Sequence, residues 1–534
     1  MELQALVAAL ARPEAWPGEV REPIEVCHTH ISAVFLVDDR AYKLKKPVDL
    51  GFLDFTTLAR RKHFCEEEVR INRPYAPGIY EGIAPVTRTP AGVRVRGEGE
   101  AIDWLVQMVR LPDDHTLLAH LGRRDVPVET FRALGRHLAR LHARATRGEE
   151  IAGYGRHEVV AGNAQENFAQ TEAHVGVTVS RAVFDRVRAL TEAALARSKS
   201  IIDARAARGV PCDTHGDLRL EHVYLRDGGF LILDAIEFNE RFRYADPVLD
   251  VAFLYMDLAC RGRWEEAVVF ADAWFDAASD DEGRTLLPLY TGYRSVVRAK
   301  VAGFKLPSLQ GEAWTVMRDR ARMHWLFALV ALEEPSRCPC LVGIEGLPGT
   351  GKSTLARDLA KAGGFEVVRS DVVRKDLADL ATTQSARADF EAGLYTPENK
   401  DRVYRACLER ASTTLQEGHR VIVDASFGRE RWREWLLDQA ETLGVPAVLI
   451  RCDADPDVVR GRLARRRADA SDADWSIYQR VRTQWEEHGA RAARVLVAVG
   501  TGGSREEGVR AALSALAARS LVAPRSVGAG HGSS

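Results

Sequence analysis

The chain has no apolar run approaching the roughly 20 residues that cross a bilayer as a helix. A helical membrane protein is therefore excluded. Nor does charge of one sign dominate. The 74 Lys and Arg nearly balance the 76 Asp and Glu, leaving a formal net charge of −2. No global field draws it to nucleic acid or a membrane surface. Cysteine is sparse, eight in 534 residues, and only Cys338 and Cys340 stand close together. Without a second pair at zinc-ligand spacing, the thiols read as buried and reduced, as in a cytoplasmic protein. There is no internal repeat. The acidic, amphipathic start Met-Glu-Leu-Gln-Ala-Leu-Val reads as a first helix rather than a signal peptide. The length suits two large or three ordinary domains, and 46% hydrophobic with 28% charged residues is ordinary for globular proteins.

What the chain does have is Gly346-Leu347-Pro348-Gly349-Thr350-Gly351-Lys352-Ser353, followed by Thr354. This fits the P-loop pattern G-x-x-x-x-G-K-[ST]. The apolar run Leu341 to Ile344 leads in, and a helical stretch from Thr354 to Lys361 leads out. Glycines let successive backbone N–H groups turn inward around phosphate oxygens, and the helix N-terminus adds its dipole. Lys352 is expected on the β- and γ-phosphates of ATP and the Ser353 hydroxyl on Mg²⁺.

About 335 residues precede that first strand. A seam at Glu333 to Pro339 carries two prolines and ends a helical run. Beyond it, strand-like runs at Leu341–Ile344, Phe365–Val368, Arg420–Val423, Ala447–Arg451 and Arg494–Val499 alternate with amphipathic helices. Thr396 as N-cap, Pro397 and Gly418 bracket one of these helices. The alternation predicts a doubly wound parallel sheet. Before the seam, Val34–Val37 and Ala41–Leu44 flank Asp38-Asp39 as a β-hairpin. A charged helix follows over Thr57 to Asn72, with strand-like pieces at Val93–Val95 and Asp103–Val109. After Pro127 the pattern is mostly helical, broken near Val223–Leu225 and Leu231–Leu233. A small β-rich lobe before a larger helical one outlines a protein-kinase-like fold.

Within that first part stand His215-Gly216-Asp217-Leu218, a short hairpin ending in Asp234, and then Asp246-Pro247 with Asp250-Val251-Ala252. As a set these resemble the aminoglycoside phosphotransferase and choline kinase families. The resemblance implies that Asp217 orients the acceptor hydroxyl and takes its proton, and that Asp234 holds Mg²⁺ against the ATP phosphates. Lys43 matches the phosphate-pairing strand lysine, with Lys45 as the fallback. Its acidic partner comes from Glu66-Glu67-Glu68, and Glu67 or Glu68 fits. Glu237 and Asn239 border the same segment and read first as surface polar residues. His28-Thr29-His30-Ile31-Ser32 stands where a Gly-rich turn is usual. One departure concerns metal: the kinase pattern places Asn, a second Mg²⁺ ligand, five residues after the catalytic Asp, and here that place holds His222. Magnesium prefers oxygen, so His222 is a second-metal ligand only by position; the alternative is that it hydrogen-bonds instead and leaves a single-metal or weakened site.

The P-loop part, from about Leu341 to Ala490, resembles the small P-loop kinases that include polynucleotide kinase, zeta toxin and gluconate kinase. The resemblance makes Asp371 the base toward an acceptor hydroxyl, with Arg369 and Arg374 nearby to hold substrate or phosphate. A capping carboxylate in a helix's first turn is the plainer reading of Asp371. Asp424 ends a buried-type strand, as a Walker-B-like Mg²⁺ partner should. Arg460, Arg462, Arg465, Arg466 and Arg467 crowd one segment. Arg462 and Arg466 are expected on the nucleotide from a lid, the alternative being a solvated basic helix. Nucleic acid is the less favoured partner, because nothing else is strongly basic. No ABC-type signature or pattern of large oligomeric AAA⁺ machines is evident. The expectation is α/β plus α+β: a protein-kinase-like two-lobed domain over 1–335, a P-loop NTPase domain over 338–520, and a disordered tail over 521–534. Both domains would use ATP and Mg²⁺ to phosphorylate a small-molecule hydroxyl in the cytoplasm.

Overall fold

The computed structural model describes residues 2–90, 92–123, 126–226, 228–378, 396–465 and 474–522. The chain divides into two compact units. One comprises Met1–Asn163, Arg197–Leu258 and Trp264–Tyr290; the other comprises Ala164–Ala196, Ala259–Arg263 and Thr291–Ser534.

In the first unit, six strands form an antiparallel sheet: β1 (Glu25–His28), β2 (Ser32–Val37), β3 (Arg40–Lys45), β4 (Tyr80–Thr89), β5 (Gly92–Val95) and β6 (Ala101–Val109). Their order is β1-β2-β3-β6-β4-β5. The expected hairpin is β2–β3, with Val34 opposite Lys43 and Val37 opposite Arg40. Strand alternation splits β3 between two layers. Tyr42 and Leu44 join a core with Trp16, Phe35 and Leu105. Ala41 faces the other side, with Cys65, Val69 and Val106. That second side carries the helix Leu58–Asn72, capped by Thr57, whose side chain accepts from the Arg60 N–H. Strand β4 was not legible in the sequence, because Gly82 and Pro85 interrupt it. Its ladder to β6 shifts register between Tyr80 and Gly82 and again between Val86 and Thr87, so a bulge lies beside Gly82, whereas Pro85 keeps regular register opposite Trp104.

Beyond the sheet this unit is mainly helical. Helix Val128–Arg144 packs along helix Trp264–Ala278. Among these helices lie two small ribbons. β7 (Cys212–Asp213) pairs with β10 (Tyr244–Ala245), and β8 (Val223–Arg226) pairs with β9 (Gly229–Ile232).

The second unit holds five parallel strands: β11 (Leu341–Glu345), β12 (Phe365–Arg369), β13 (Arg420–Asp424), β14 (Ala447–Asp453) and β15 (Leu496–Gly500). Their order is β12-β13-β11-β14-β15, which is doubly wound. Each face of β11 is covered. Val342 and Ile344 join Leu355, Leu359 and Leu516 on one side. Leu341 joins Leu436, Leu449 and Trp325 on the other. This two-sided burial explains the unbroken apolar runs. Thr396 caps helix Pro397–Gln416 as expected. Arg494 and Val495, read as strand, close the helix Ala490–Val495 instead. Leu521 and Val522 were assigned to the tail, but both are buried in the Val342 core, as apolar side chains at that place would be. The rest of the expected tail, 523–534, lies outside the described residues. The fold class is thus a kinase-like lobe with a curled antiparallel sheet, and a P-loop NTPase-type parallel sheet.

Candidate active sites

The first site is built on β3. Lys43 and Lys45 share a face of the strand and both reach helix Leu58–Asn72. Lys43 Nζ lies 2.9 Å from Glu68 Oε1 and 2.7 Å from Asp234 Oδ1. Lys45 Nζ lies 2.7 Å from Glu68 Oε2 and also pairs with Glu237. The structure therefore separates the two candidate partners: Glu68 is the one, and Glu67 is not. Glu67 sits one helical position round and turns outward to Arg70, 2.7 Å away. Burial works against the charge of Glu68, but the two lysines outweigh it and hold its carboxyl below the ordinary range. Glu237 is a second correction. It is buried with Lys45 rather than on the surface, and burial pushes its carboxyl up despite that lysine. Asn239 caps the helix Glu240–Arg243 and donates to Phe52 O, 2.9 Å away.

Asp234 holds a left-handed backbone, with φ 66°. Its N–H donates to Tyr80 Oη at 3.2 Å, and the next N–H, of Ala235, donates to Asn72 Oδ1 at 2.9 Å. Burial opposes its charge, yet the Lys43 ammonium, 2.7 Å away, holds its carboxyl far below the ordinary range. Asp217 sits in a loop pinned from beneath. Asp250 accepts the N–H of His215 at 2.8 Å and of Gly216 at 3.0 Å. Asp257 accepts the N–H of Leu220 at 2.9 Å. Gly216 has φ 83°, and a Cβ there would stand 2.9 Å from Phe242 O. Arg219 lies 2.9 Å from Asp217 Oδ2, and His222 Nδ1 lies 2.8 Å from Asp217 O. Asp217, Asp234, Lys43 and His222 are thus brought together. Tyr80, Asn72, Asp257 and Arg219 support them and had no sequence signal beyond their types.

The second site opens at the carboxyl end of β11, where strand order reverses, the usual ligand position in open α/β sheets. The loop Gly346–Gly351 leads into helix Lys352–Gly363. Gly349 has φ 80°, and a Cβ there would stand 2.9 Å from Val459 and Leu463. Lys352 Nζ donates to Leu347 O at 3.0 Å, inside the curl of the loop. Thr350 Oγ1 bonds the same carbonyl at 2.8 Å. The Ser353 hydroxyl hydrogen-bonds Asp424. Burial raises the Asp424 carboxyl, with Lys352 and Ser353 opposing. Arg369 Nε lies 3.5 Å from Asp424 Oδ2. Asp371 stands in the first turn of helix Ser370–Asp376, 2.6 Å from Arg374 Nη1.

Arg462 comes from helix Pro456–Arg465. Its Nη2 donates to Thr501 O at 2.7 Å. Its Nη1 is buried with no hydrogen-bond partner, 3.5 Å from where a Gly351 Cβ would be. An unpartnered guanidinium nitrogen beside the glycine-rich loop and a helix N-terminus fit an anion such as a nucleotide phosphate. Arg466 and Arg467 lie outside the described residues. Among the described residues no three His, Cys, Asp or Glu side chains cluster as a metal group. A divalent cation at either site would take one or two protein oxygens, completed by phosphate and water, which is how Mg²⁺ binds at kinase sites. Sequence reading missed Glu345, immediately before the P-loop. It is fully buried, 2.7 Å from His488 Nε2 and 3.4 Å from Arg433 Nε.

A protein-family model described as AAA domain matches residues 341–488. No oligomeric AAA⁺ pattern was read from the sequence; the match shows a P-loop ATPase-type domain. Uncharacterized protein Rv2004c of Mycobacterium tuberculosis H37Rv is 34% identical over 455 residues, 85% of this chain and 88% of that protein. The chain belongs to the family of that mycobacterial protein. Within this family the shared span covers most of both chains. A choline/ethanolamine kinase family protein from Mesorhizobium loti is similar at 14% identity and TM-score 0.38, over 62% of this chain and 95% of that one. A gluconokinase from Sinorhizobium meliloti is similar at 22% identity and TM-score 0.26, over 34% of this chain and 95% of that one. The fold is a kinase-like lobe with an antiparallel sheet in the first part and a P-loop ATPase-type parallel sheet in the second. Among the described residues no helix is long and apolar enough to cross a membrane.

Proposed function

We propose that the protein is a cytoplasmic phosphotransferase with two ATP–Mg²⁺ sites, each acting on a hydroxyl of a small molecule. The observation that carries it is the P-loop arrangement, in which Lys352, the Ser353–Asp424 bond and the unpartnered Arg462 nitrogen converge on one anion cradle. Domains over 1–335 and 338–520 would each hold one site. Bound ATP–Mg²⁺ supplies the phosphoryl group and its charge neutralisation. In the P-loop site, Lys352 and Arg462 hold phosphate oxygens, Ser353 and Asp424 hold the metal, and Asp371 takes the acceptor proton. In the other site, Lys43, set by Glu68, holds phosphate, Asp234 holds metal, and Asp217 orients and deprotonates the acceptor hydroxyl.

A second reading keeps the P-loop site active, with a nucleotide, nucleic-acid 5′-hydroxyl or protein among its acceptors, and makes the first site a regulatory binding module. It draws on His222, whose ring nitrogens are engaged by Asp217 O and Arg219. The deciding experiment uses the full chain carrying Lys352→Ala or Asp234→Asn. A library of hydroxyl-bearing metabolites is screened for acceptor-dependent ADP release and phosphorylated product. Two kinase sites give product from each single variant and none from the double. Product from Asp234→Asn alone, with none from Lys352→Ala, favours the regulatory reading.

A further inference from the structure

We infer that Arg219 takes the place of the second divalent cation in the first site, so that this site works with one metal ion. The inference rests on reading that site as an ATP site. In the kinase pattern two Mg²⁺ ions are held by an Asp and by an Asn five residues after the catalytic Asp. Here Asp234 supplies the first position and His222 the second.

The ring of His222 is committed elsewhere. Its Nδ1 lies 2.8 Å from the carbonyl oxygen of Asp217. A carbonyl only accepts, so Nδ1 carries the proton. The neutral ring then has Nε2 as its acceptor. Arg219 Nη2, which can only donate, lies 3.0 Å from that nitrogen. The lone pair a metal would need is already used by a guanidinium. Imidazole is in any case a poor ligand for Mg²⁺.

Arg219 is also held on its other edges. Its Nη2 and Nε lie 2.9 and 3.1 Å from Asp217 Oδ2, and its Nη1 pairs with Glu221. Burial opposes its charge, but Asp217 and Glu221 outweigh this and raise its pKa further. Arginine keeps its proton in proteins in any event. His222 Nε2, against which the guanidinium rests, is 3.9 Å from Asp234 Oδ2. A fixed positive charge therefore lies against the acceptor-orienting carboxylate and against His222, the position from which the second cation would be held. The Leu220 N–H bond to Asp257, at 2.9 Å, pins the loop that carries Arg219.

The test counts metal rather than turnover. The full chain with Lys352→Ala is loaded with Mn²⁺ and adenylyl imidodiphosphate, and bound Mn²⁺ per nucleotide is measured by electron paramagnetic resonance. One Mn²⁺ per bound nucleotide is expected, with Arg219→Lys unchanged. Adding Asp234→Asn should abolish that bound Mn²⁺. Arg219→Ala with His222→Asn should raise the count to two. Nucleotide bound with two Mn²⁺ while Arg219 is intact overturns the inference and leaves the ATP-site reading standing. No nucleotide bound at all removes the reading of this site, and the inference with it.

Discussion

Lys43 and Glu68 meet at 2.9 Å across the inner face of the antiparallel sheet, and the carboxylate's other oxygen holds Lys45 at 2.7 Å. One glutamate thus serves two lysines. Lys45 and Glu68 are both fully buried. Removing one partner from such a group leaves uncompensated charge, which costs about 3–5 kcal/mol. Glu68→Gln should therefore lower the denaturation midpoint of the first unit and weaken its nucleotide binding. Glu67→Gln should change stability by no more than about 0.5 kcal/mol, since its i,i+3 partner Arg70 is half exposed. Urea titration of both variants, with nucleotide affinity measured alongside, distinguishes them. Equal effects at the two positions would contradict the pairing.

If the P-loop site transfers phosphate as proposed, Lys352→Ala should lower its turnover by about 100-fold or more, by removing a charged donor from the loop. The fold should survive, because Lys352 bonds the loop carbonyl of Leu347 and takes no part in either core. Circular dichroism checks the fold, and ADP release from the Asp234→Asn background checks the rate. Unchanged turnover in that background would remove the P-loop from the chemistry.

Asp217→Asn and Asp234→Asn should both silence the first site, but differently. Asparagine tolerates the left-handed backbone at position 234, where alanine would be strained, so the loop keeps its shape. Asp234→Asn should lose Mg²⁺-dependent nucleotide binding. Asp217→Asn should keep binding and lose about 10²- to 10⁴-fold in rate, the range of general-base catalysis. Calorimetric titration with and without Mg²⁺, in the Lys352→Ala background, reads the difference. Identical binding defects would show that the two carboxylates do not have separate roles.

Acid should destabilise the second unit partly through His324. This side chain is buried, and burial, with Arg298, Arg320 and Arg261 nearby, pushes its pKa well below the ordinary 6.5. The unfolded chain therefore binds the proton more readily than the folded one. Stability from the neutral ring is fully present above about pH 6.5 and falls as pH drops below it. His324→Gln cannot titrate, so its thermal midpoint should fall less between pH 7.5 and pH 5 than that of the parent chain. Parallel pH profiles would rule His324 out as the source.

Much of this molecule was written locally. The P-loop, its flanking strand and helix, the Thr396 cap and the β2–β3 hairpin each depend on residues within a few positions of one another. Period and punctuation suffice for such elements. Strand β4 escaped because Gly82 and Pro85 break its local strand pattern, and only its pairing to β6, outside that local window, holds it extended. Still longer stretches of chain separate Lys43 from Asp234, Glu345 from His488, and Arg462 from Thr501. Three adjacent glutamates could not be ranked from sequence, since the helix's rotation against β3 chooses Glu68. Glu237 looked like a surface residue until Lys45 was placed beside it. Composition, motif spacing and periodicity, with the family resemblance the motifs carry, pointed to the two kinds of lobe and to the candidate residues at each site. Tertiary structure alone decided which charges face each other, because burial and Coulombic pairing act through space and leave no trace in sequence order.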